Sequence, residues 1–193
     1  MRALVIDYGA GNLHSIRKAL EREGARVTVA APSGGSLARA EAIVLPGVGA
    51  FGAAVARLTP ALDGLRSALR DGVPCLGVCL GMQLLFDASD EGAGTALGVL
   101  PGRVRRLRSA RSPHIGWNRV AGSALLDGRD FYFAHGFVAA PDDPRVVDGW
   151  SELDGDRFPA AVRSGAIRGV QFHPEKSGAA GLALLRAFVE EAS

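Results

Sequence analysis

Two cysteines lie four positions apart in the segment PCLGVCLGMQLLF, residues 74–86. The second, Cys79, has a glycine two residues before it and another two residues after it. This spacing is typical of the sharp strand-to-helix turn that presents a nucleophile, because only glycine leaves room beside it. The start of a helix favours a thiolate, and the N–H of Leu80 would point towards an oxyanion. A buried cysteine before an ordinary glycine turn remains the alternative, and we expect Cys75 to be a core residue.

A cysteine nucleophile needs a base, which one of the histidines must supply. The chain has four: His14, His114, His135 and His173. His173 follows an apolar run in VQFHPEKS, with Glu175 two residues later. Residues i and i+2 of an extended segment point to the same side, so Glu175 can orient the His173 ring while the other ring nitrogen faces a thiol. We therefore predict a triad with Cys79, although an H-x-E pair by itself also occurs in surface loops.

A glycine-rich loop, LPGVGAFG at residues 45–52, joins a predicted strand to a predicted helix. Such a loop exposes backbone N–H groups without side-chain obstruction and can supply a second oxyanion donor. A plain strand-to-helix turn would have the same composition, so this alternative stays open.

Two other segments have weaker functional signals. DYGAGNLHS, residues 7–15, matches a dinucleotide-binding loop only in part, because His14 occupies the third glycine position and no acidic residue ends the second strand. We do not expect nucleotide binding there. The basic run RVRRLRSAR, residues 103–111, is expected to be a solvated face, with contact to a partner or a phosphate as the alternative.

The elements that position these motifs alternate between strands and helices in the first half of the chain. Strands are predicted at 2–7, 25–30, 42–47 and 74–78, and helices at 12–24, 51–58, 62–72 and 80–86. This alternation indicates parallel βαβ units. Short strands follow at 98–107, 116–120, 130–140, 159–164 and 167–175, before a last helix at 178–192. We predict a single α/β domain over residues 1–193, with a mixed central sheet and helices on both faces.

Composition limits the class of protein. The 193 residues are 48% hydrophobic and 22% charged, a balance typical of globular proteins, and the net charge of +2 is too small to favour nucleic acid as the partner. Two cysteines do not suggest a disulfide framework, and the N-terminus lacks the apolar region of a signal peptide. We expect a cytoplasmic protein.

Taken together, these motifs resemble the class I glutamine amidotransferases, which carry a G-x-C-x-G turn, a late H-P-E and an earlier glycine-rich oxyanion segment. More narrowly, the chain is similar to the glutaminase subunits of imidazole glycerol phosphate synthase, in histidine biosynthesis. The segments that carry this resemblance are DYGAGNLHS, LPGVGAFG, CLGMQLLF, PHIGWN, FYFAHGF and QFHPEKS. It implies a flavodoxin-like fold of three layers, and it spans residues 7–177.

The resemblance also implies roles for individual residues. It implies Cys79 as nucleophile, His173 as base and acid, and Glu175 as the carboxylate that orients His173. It implies oxyanion and glutamine contacts from Gly47, Val48, Gly49, Leu80, Gln83, His135, Gly136 and Phe137. It implies partner contacts from Asn12, Trp117 and Lys176, with a core position as the alternative for Trp117. The family usually has a serine where this chain has Gly136, which removes one hydroxyl contact.

The activity implied by the resemblance is hydrolysis of glutamine through a thioester, without a metal or an organic cofactor. The implied partner is a (β/α)8-barrel cyclase subunit that uses the ammonia to make imidazole glycerol phosphate and an aminoimidazole carboxamide ribotide. Three alternatives remain at this point. The chain could serve another synthase, such as one for pyridoxal phosphate or anthranilate. It could also be a partner-independent γ-glutamyl cysteine hydrolase, or a flavodoxin-like binding domain with an incidental cysteine.

Overall fold

The structure is a computed structural model that describes residues 1–9 and 11–193. Ala10, inside the DYGAGN motif, lies outside the described residues. The helices are α1 Leu13–Arg22, α2 Gly34–Leu37, α3 Phe51–Leu58, α4 Leu62–Arg70, α5 Leu80–Gln83 and α6 Gly178–Glu191. The strands are β1 Arg2–Ile6, β2 Arg26–Ala30, β3 Ala42–Leu45, β4 Cys75–Val78, β5 Ala88–Ser89, β6 Gly102–Arg106, β7 His114–Gly122, β8 Arg129–His135, β9 Phe137–Pro141, β10 Val147–Leu153, β11 Asp156–Ser164 and β12 Ile167–Val170.

Nine strands form the central sheet in the order β2-β1-β3-β4-β12-β11-β10-β7-β8. The five strands from β2 to β12 are parallel, and the remaining pairs are antiparallel. Alternate residues of β1 point to opposite faces: Val5 packs in the core with α1 and α6, whereas Leu4 packs with α3 and α4. The predicted mixed sheet with helices on both faces is confirmed.

The predicted strand over residues 130–140 is wrong in one respect, because the chain changes sheets in its middle. β8 belongs to the central sheet, whereas β9 pairs with β6 in a separate three-stranded sheet of order β5-β6-β9. The break falls at Gly136, whose carbonyl accepts from Leu107 N–H at 2.9 Å. This change of sheet places Gly136 beside the carboxyl ends of the parallel strands.

Several further elements differ from the prediction. Helix α2 and strand β5, which are only four and two residues long, were not predicted. The strand predicted over residues 167–175 ends at Val170, and a 3₁₀ helix, Pro174–Lys176, follows it. Strand β10 was not predicted, since its buried positions include the small residues Gly149 and Ser151, which give a weak strand signal. The helix predicted over residues 80–86 ends at Gln83, because the segment 97–100 donates hydrogen bonds to the carbonyls of Leu84, Leu85 and Phe86. Those carbonyls are therefore not free to continue the helix.

Across the part of the chain that the structure describes, none of the helices combines the length and the apolar character that crossing a membrane requires.

Candidate active site

Cys79 lies between β4 and α5 in a strained backbone conformation, with φ 52° and ψ −107°. A positive φ is uncommon for any residue with a side chain and persists only where the surroundings enforce it. Here the Cys79 N–H donates to the Val170 carbonyl at 2.7 Å, which extends the β4–β12 pairing by one residue. The predicted sharp turn is present, and it follows from this pairing and from the glycines around it.

Three glycines allow the chain to pass close to itself around Cys79. A Cβ on Gly81 would lie 1.8 Å from the Leu45 carbonyl oxygen, and one on Gly77 would lie 2.6 Å from the Gly81 carbonyl oxygen. A Cβ on Gly47 would lie 2.5 Å from the Leu80 Cβ. The glycine-rich loop therefore packs directly against the turn that carries Cys79.

The Gly81→Ala variant is expected to lower the free energy of unfolding by about 3 kcal/mol, because its methyl group would push into the β3 backbone. Urea denaturation followed by circular dichroism measures the change. Gly34→Ala is the matched control, since a Cβ there meets no atom within 4 Å, and its stability should equal or slightly exceed that of the wild type. Equal stability of the Gly81→Ala variant and the wild type would contradict the close packing.

His173 reaches Cys79 because β12 pairs in parallel with β4. Val170 is opposite Val78, so both chains leave the sheet at the same edge. The His173 Nδ1–H donates to Glu175 Oε1 at 2.9 Å, although Glu175 lies in a short 3₁₀ helix, Pro174–Lys176, and not in an extended segment. The contact predicted from the spacing is present, but the extended geometry assumed for it is wrong.

The backbone of His173 is fixed by its neighbours. Its N–H donates to the Tyr132 carbonyl at 2.8 Å, and the Ser177 hydroxyl donates to the His173 carbonyl at 2.6 Å. The same hydroxyl accepts from the Tyr132 N–H at 2.9 Å. Strand β8 and the start of α6 thus hold the backbone that carries the imidazole.

The charges around His173 favour its protonated form. Burial alone would lower the pKa of His173, but the Cys79 sulfur and the Glu175 carboxylate outweigh it and raise the pKa to about 9. The His173 Nε2 atom is buried and has no hydrogen-bond partner within the described chain. Cys75, by contrast, is completely buried, and burial raises its pKa to about 12. The two cysteines therefore differ in environment as the sequence predicted.

A buried glutamine that was not predicted touches the Cys79 sulfur. The Gln171 Nε2 donates to Cys79 Sγ at 3.6 Å, and Cys79 Sγ lies 3.8 Å from the Ala134 carbonyl oxygen. Gln83 Nε2 in turn donates to Gln171 Oε1 at 3.2 Å and to the Phe137 carbonyl at 2.9 Å. The sequence feature that could have identified Gln171 is its polar side chain, which interrupts the apolar run that leads to His173.

His135 closes the same network from the β8 side. Its Nδ1–H donates to the Phe137 carbonyl at 3.0 Å, which bends the chain around Gly136. Burial, followed by the nearby His114, lowers the pKa of His135 to about 3, so its ring is neutral at physiological pH. The His135 Nε2 atom is buried and unpaired within the described residues.

A cavity of about 300 Å³ opens above Cys79. Its lining comprises Val48, Gly49, Cys79, Leu80, Gln83, Glu91, Pro113, Ile115, Ala134, His135, Gly136 and Phe137. Seven of the predicted oxyanion and glutamine-pocket residues are among them, whereas Gly47 lies buried behind the wall. Glu91 was not predicted, because the segment DEGAG has no pattern that points to a site. The Ser112 hydroxyl borders the space that a side chain at position 136 would occupy, because it would lie 3.7 Å from a Cβ built on Gly136.

The glycine-rich loop borders the cavity with its middle residues exposed. Val48 is 44% exposed, and Gly49 has a φ of 124° that favours glycine. Just beyond the loop, the Phe51 N–H at the start of α3 donates to Glu91 Oε2 at 2.9 Å. Backbone N–H groups of this loop and of Leu80 are thus the candidate donors to an oxyanion at Cys79.

The three residues expected to contact a partner occupy different environments. Trp117 is 58% exposed, so the alternative that it is a core residue is wrong. Its ring packs edge-on to Tyr132, and the Lys176 ammonium lies 5.6 Å from the Tyr132 ring centre. Asn12 caps α1 by accepting from the Ser15 N–H at 3.3 Å, so it already has a structural role.

The basic run at residues 103–111 is largely a solvated face, as expected, because Arg103, Arg106, Arg108 and Arg111 are exposed, but some of its arginines also form ion pairs. Arg105 makes two hydrogen bonds of 2.7 Å to the Asp156 carboxylate, which also accepts from the Arg108 N–H at 2.7 Å. Arg111 pairs with Asp154. These ion pairs join the run to the β10–β11 hairpin and fix the segment that leads into β7.

The comparisons with known proteins agree with this geometry. The model of the family "Glutamine amidotransferase class-I" matches residues 4–192. A curated protein from Geobacillus thermodenitrificans, "Imidazole glycerol phosphate synthase subunit HisH", is 46% identical and is matched over 96% of this chain and 93% of its own length. The protein of the same name from Halobacterium salinarum is 45% identical, with 97% of this chain and 92% of that protein covered.

Solved structures show the same fold at lower identity. "Crystal structure of glutamine amidotransferase" has a TM-score of 0.80 at 22% identity and covers 98% of both chains. "Structure of PurLQS from Thermotoga maritima" has a TM-score of 0.75 at 21% identity, covering 100% of this chain and 99% of the other. The chain therefore belongs to the class I glutamine amidotransferases and, within them, to the family of the HisH subunits of imidazole glycerol phosphate synthase.

Proposed function

We propose that this chain is the glutaminase subunit of an imidazole glycerol phosphate synthase, which releases ammonia from glutamine and passes it to a (β/α)8-barrel cyclase subunit. The observation that supports this most strongly is the strained Cys79 beside the buried His173–Glu175 pair, at the floor of a cavity. The names of the curated relatives supply the synthase.

In the proposed reaction, the Cys79 thiolate attacks the side-chain amide carbon of glutamine. The resulting oxyanion accepts hydrogen bonds from N–H groups of Leu80 and of the loop that contains Gly49. The C–N bond then breaks as His173 gives its proton to the leaving nitrogen, which departs as ammonia. Water, deprotonated by His173, hydrolyses the γ-glutamyl thioester to glutamate and regenerates Cys79.

The ends of the substrate also need partners in the pocket. A free amino acid carries an ammonium group and a carboxylate, so its site needs acceptors and donors together. Glu91 supplies a carboxylate on the cavity wall, and we assign it to the ammonium group. The turn at Gly136 presents backbone to the cavity without a side chain, and we assign it to the carboxylate. Gln83 and His135 then hold this wall in position through the Phe137 carbonyl.

The barrel subunit is proposed to cover an apolar rim made of Val48, Ile115 and Trp117. These are the large hydrophobic side chains exposed on the described chain. Ile115 and Trp117 are two residues apart in β7 and lie on the same face of that strand. Val48 and Ile115 also line the active-site cavity. A partner on this rim would therefore shelter the ammonia, which is a nucleophile only while it is uncharged.

The Trp117→Ala variant is expected to weaken binding of the barrel subunit about 30-fold, because a large exposed aromatic ring is a typical interface hot spot. Isothermal titration calorimetry of the two subunits measures this. Arg26→Ala is the control, since Arg26 lies at the opposite, amino-terminal edge of the sheet and should leave the affinity unchanged. If the Trp117→Ala and Arg26→Ala variants bound the barrel subunit with equal affinity, the interface would not include Trp117.

Reconstitution with the barrel subunit from the same genome tests the proposed function. We expect glutamate release to require the barrel subunit with its ligand, because the loop Gly47–Gly49 is hypothesised to present its N–H groups correctly only in the complex. High glutaminase turnover by the isolated chain would refute that coupling and favour the partner-independent hydrolase. Binding to a synthase for pyridoxal phosphate or anthranilate instead would identify a different pathway. The two free cysteines are compatible with action in the cytoplasm.

A further inference from the structure

Tyr8 lies two residues after β1, in the DYGAGN motif, and takes no part in the reaction proposed above. Its side chain is buried, with 3% of its surface exposed. The Tyr8 hydroxyl donates a hydrogen bond to the carbonyl of Pro46, the residue that follows β3. Because β1 and β3 are parallel neighbours, this contact forms at the edge of the sheet where Cys79 also lies.

The bond from Tyr8 fixes one end of the oxyanion loop. The Pro46 carbonyl and the Gly47 N–H belong to the same peptide unit, which is planar, so holding the carbonyl also sets the direction of the N–H. On its other side this peptide packs against Leu80 and Gly81, since a Cβ on Gly47 would lie 2.6 Å from the Gly81 nitrogen. The peptide is therefore held between the Tyr8 phenol and the turn that carries the nucleophile.

The far end of the loop is fixed independently, by the bond from the Phe51 N–H to Glu91. Only residues 48–50 between the two anchors are exposed. Helix α3 begins at Phe51 and also contains Arg57. A guanidinium N–H of Arg57 donates to the Tyr8 carbonyl at 3.3 Å, so this helix connects the anchor at Tyr8 with the anchor at Phe51. Any change in the direction of the loop N–H groups is thus confined to the bonds around Val48 and Gly49.

We propose that Tyr8 is a positioning residue for glutamine hydrolysis: its hydroxyl holds the Pro46–Gly47 peptide so that the loop presents its N–H groups to the oxyanion at Cys79. This inference rests on the proposed function. Tyr8 never touches the substrate and acts through the loop alone. Burial, followed by the charge of Cys79, raises the pKa of Tyr8 well above its ordinary value, so the phenol keeps its proton and stays a donor.

The test is Tyr8→Phe in the complex with the barrel subunit, which removes the hydroxyl and keeps the ring. Loosening an oxyanion donor costs less than removing it, so we expect kcat for glutamine hydrolysis to fall about 10- to 100-fold with KM within about twofold. Ammonia-dependent synthesis by the same complex should be unchanged. A role limited to folding would instead lower both activities together with the melting temperature.

A second measurement separates positioning from general damage. The aldehyde analogue of glutamine, glutamate γ-semialdehyde, forms a tetrahedral adduct with a cysteine thiol and needs the oxyanion donors, whereas glutamate does not. In the Tyr8→Phe variant, affinity for the aldehyde should fall by the same factor as kcat, and affinity for glutamate should stay constant. A kcat within twofold of wild type, or equal losses for both ligands, would overturn the inference. If the wild-type complex itself released no glutamate, the proposed function would fail, and the inference with it.

Discussion

Replacing Cys79 by alanine is expected to lower glutamine-dependent synthesis by the reconstituted complex at least about a thousandfold and to leave ammonia-dependent synthesis within about twofold of wild type. Without the sulfur no thioester forms, so no ammonia is released from glutamine. The cyclase subunit is untouched and still accepts ammonia from solution. Assays with glutamine and with an ammonium salt, run on the same complex, measure both rates.

Cys75 provides the matched control for this experiment. It lies four residues away in β4, is fully buried, and keeps its proton because burial raises its pKa to about 12. Cys75→Ala should retain glutamine-dependent synthesis and lose about 1 kcal/mol of stability to the small cavity it leaves. An electrophilic glutamine analogue should label Cys79 and spare Cys75. Loss of both activities in an intact Cys79→Ala complex would contradict the transfer of ammonia between subunits.

The Glu175→Gln variant is expected to lower kcat for glutamine hydrolysis at least about a hundredfold, because the carboxylate orients the His173 ring and stabilises its charged form. It should also change the pH dependence. The carboxylate helps to raise the pKa of His173 to about 9, so in the wild type kcat/KM should fall as the pH rises through about 9 and the proton for the leaving ammonia is lost. Removing the negative charge moves this decline to lower pH, by about one pH unit or more.

Glu190→Gln, on the exposed side of α6, changes the net charge equally and should keep the wild-type profile. The profiles are measured as glutamate release by the complex, over a pH range in which the complex stays assembled. An unshifted alkaline limb in the Glu175→Gln variant would mean that a group other than His173 controls it. Unchanged kcat would remove Glu175 from the proposed triad.

Local stereochemistry made several features of this protein predictable from sequence. The glycine spacing around Cys79 predicted the sharp turn, because only glycine tolerates the close approach of Gly81 to Leu45 and of Gly77 to Gly81 that the structure shows. The pairing of His173 with Glu175 was predictable because the two residues are neighbours in the chain, and it forms even though the segment is helical and not extended. The alternation of strands and helices likewise predicted the parallel half of the sheet.

Features that depend on distant parts of the chain were decided only by the tertiary structure. Strand pairing brings Gln171 to the Cys79 sulfur, and loop packing brings Glu91 to the cavity. No short sequence pattern encodes either arrangement. The same holds for Tyr8 on Pro46, a contact between residues 38 positions apart. The choice between an exposed and a core position for Trp117 also required the completed sheet. The sequence by itself thus determined the reactive groups and the turns that carry them, since these follow from local sterics, whereas register between distant strands determined what surrounds them.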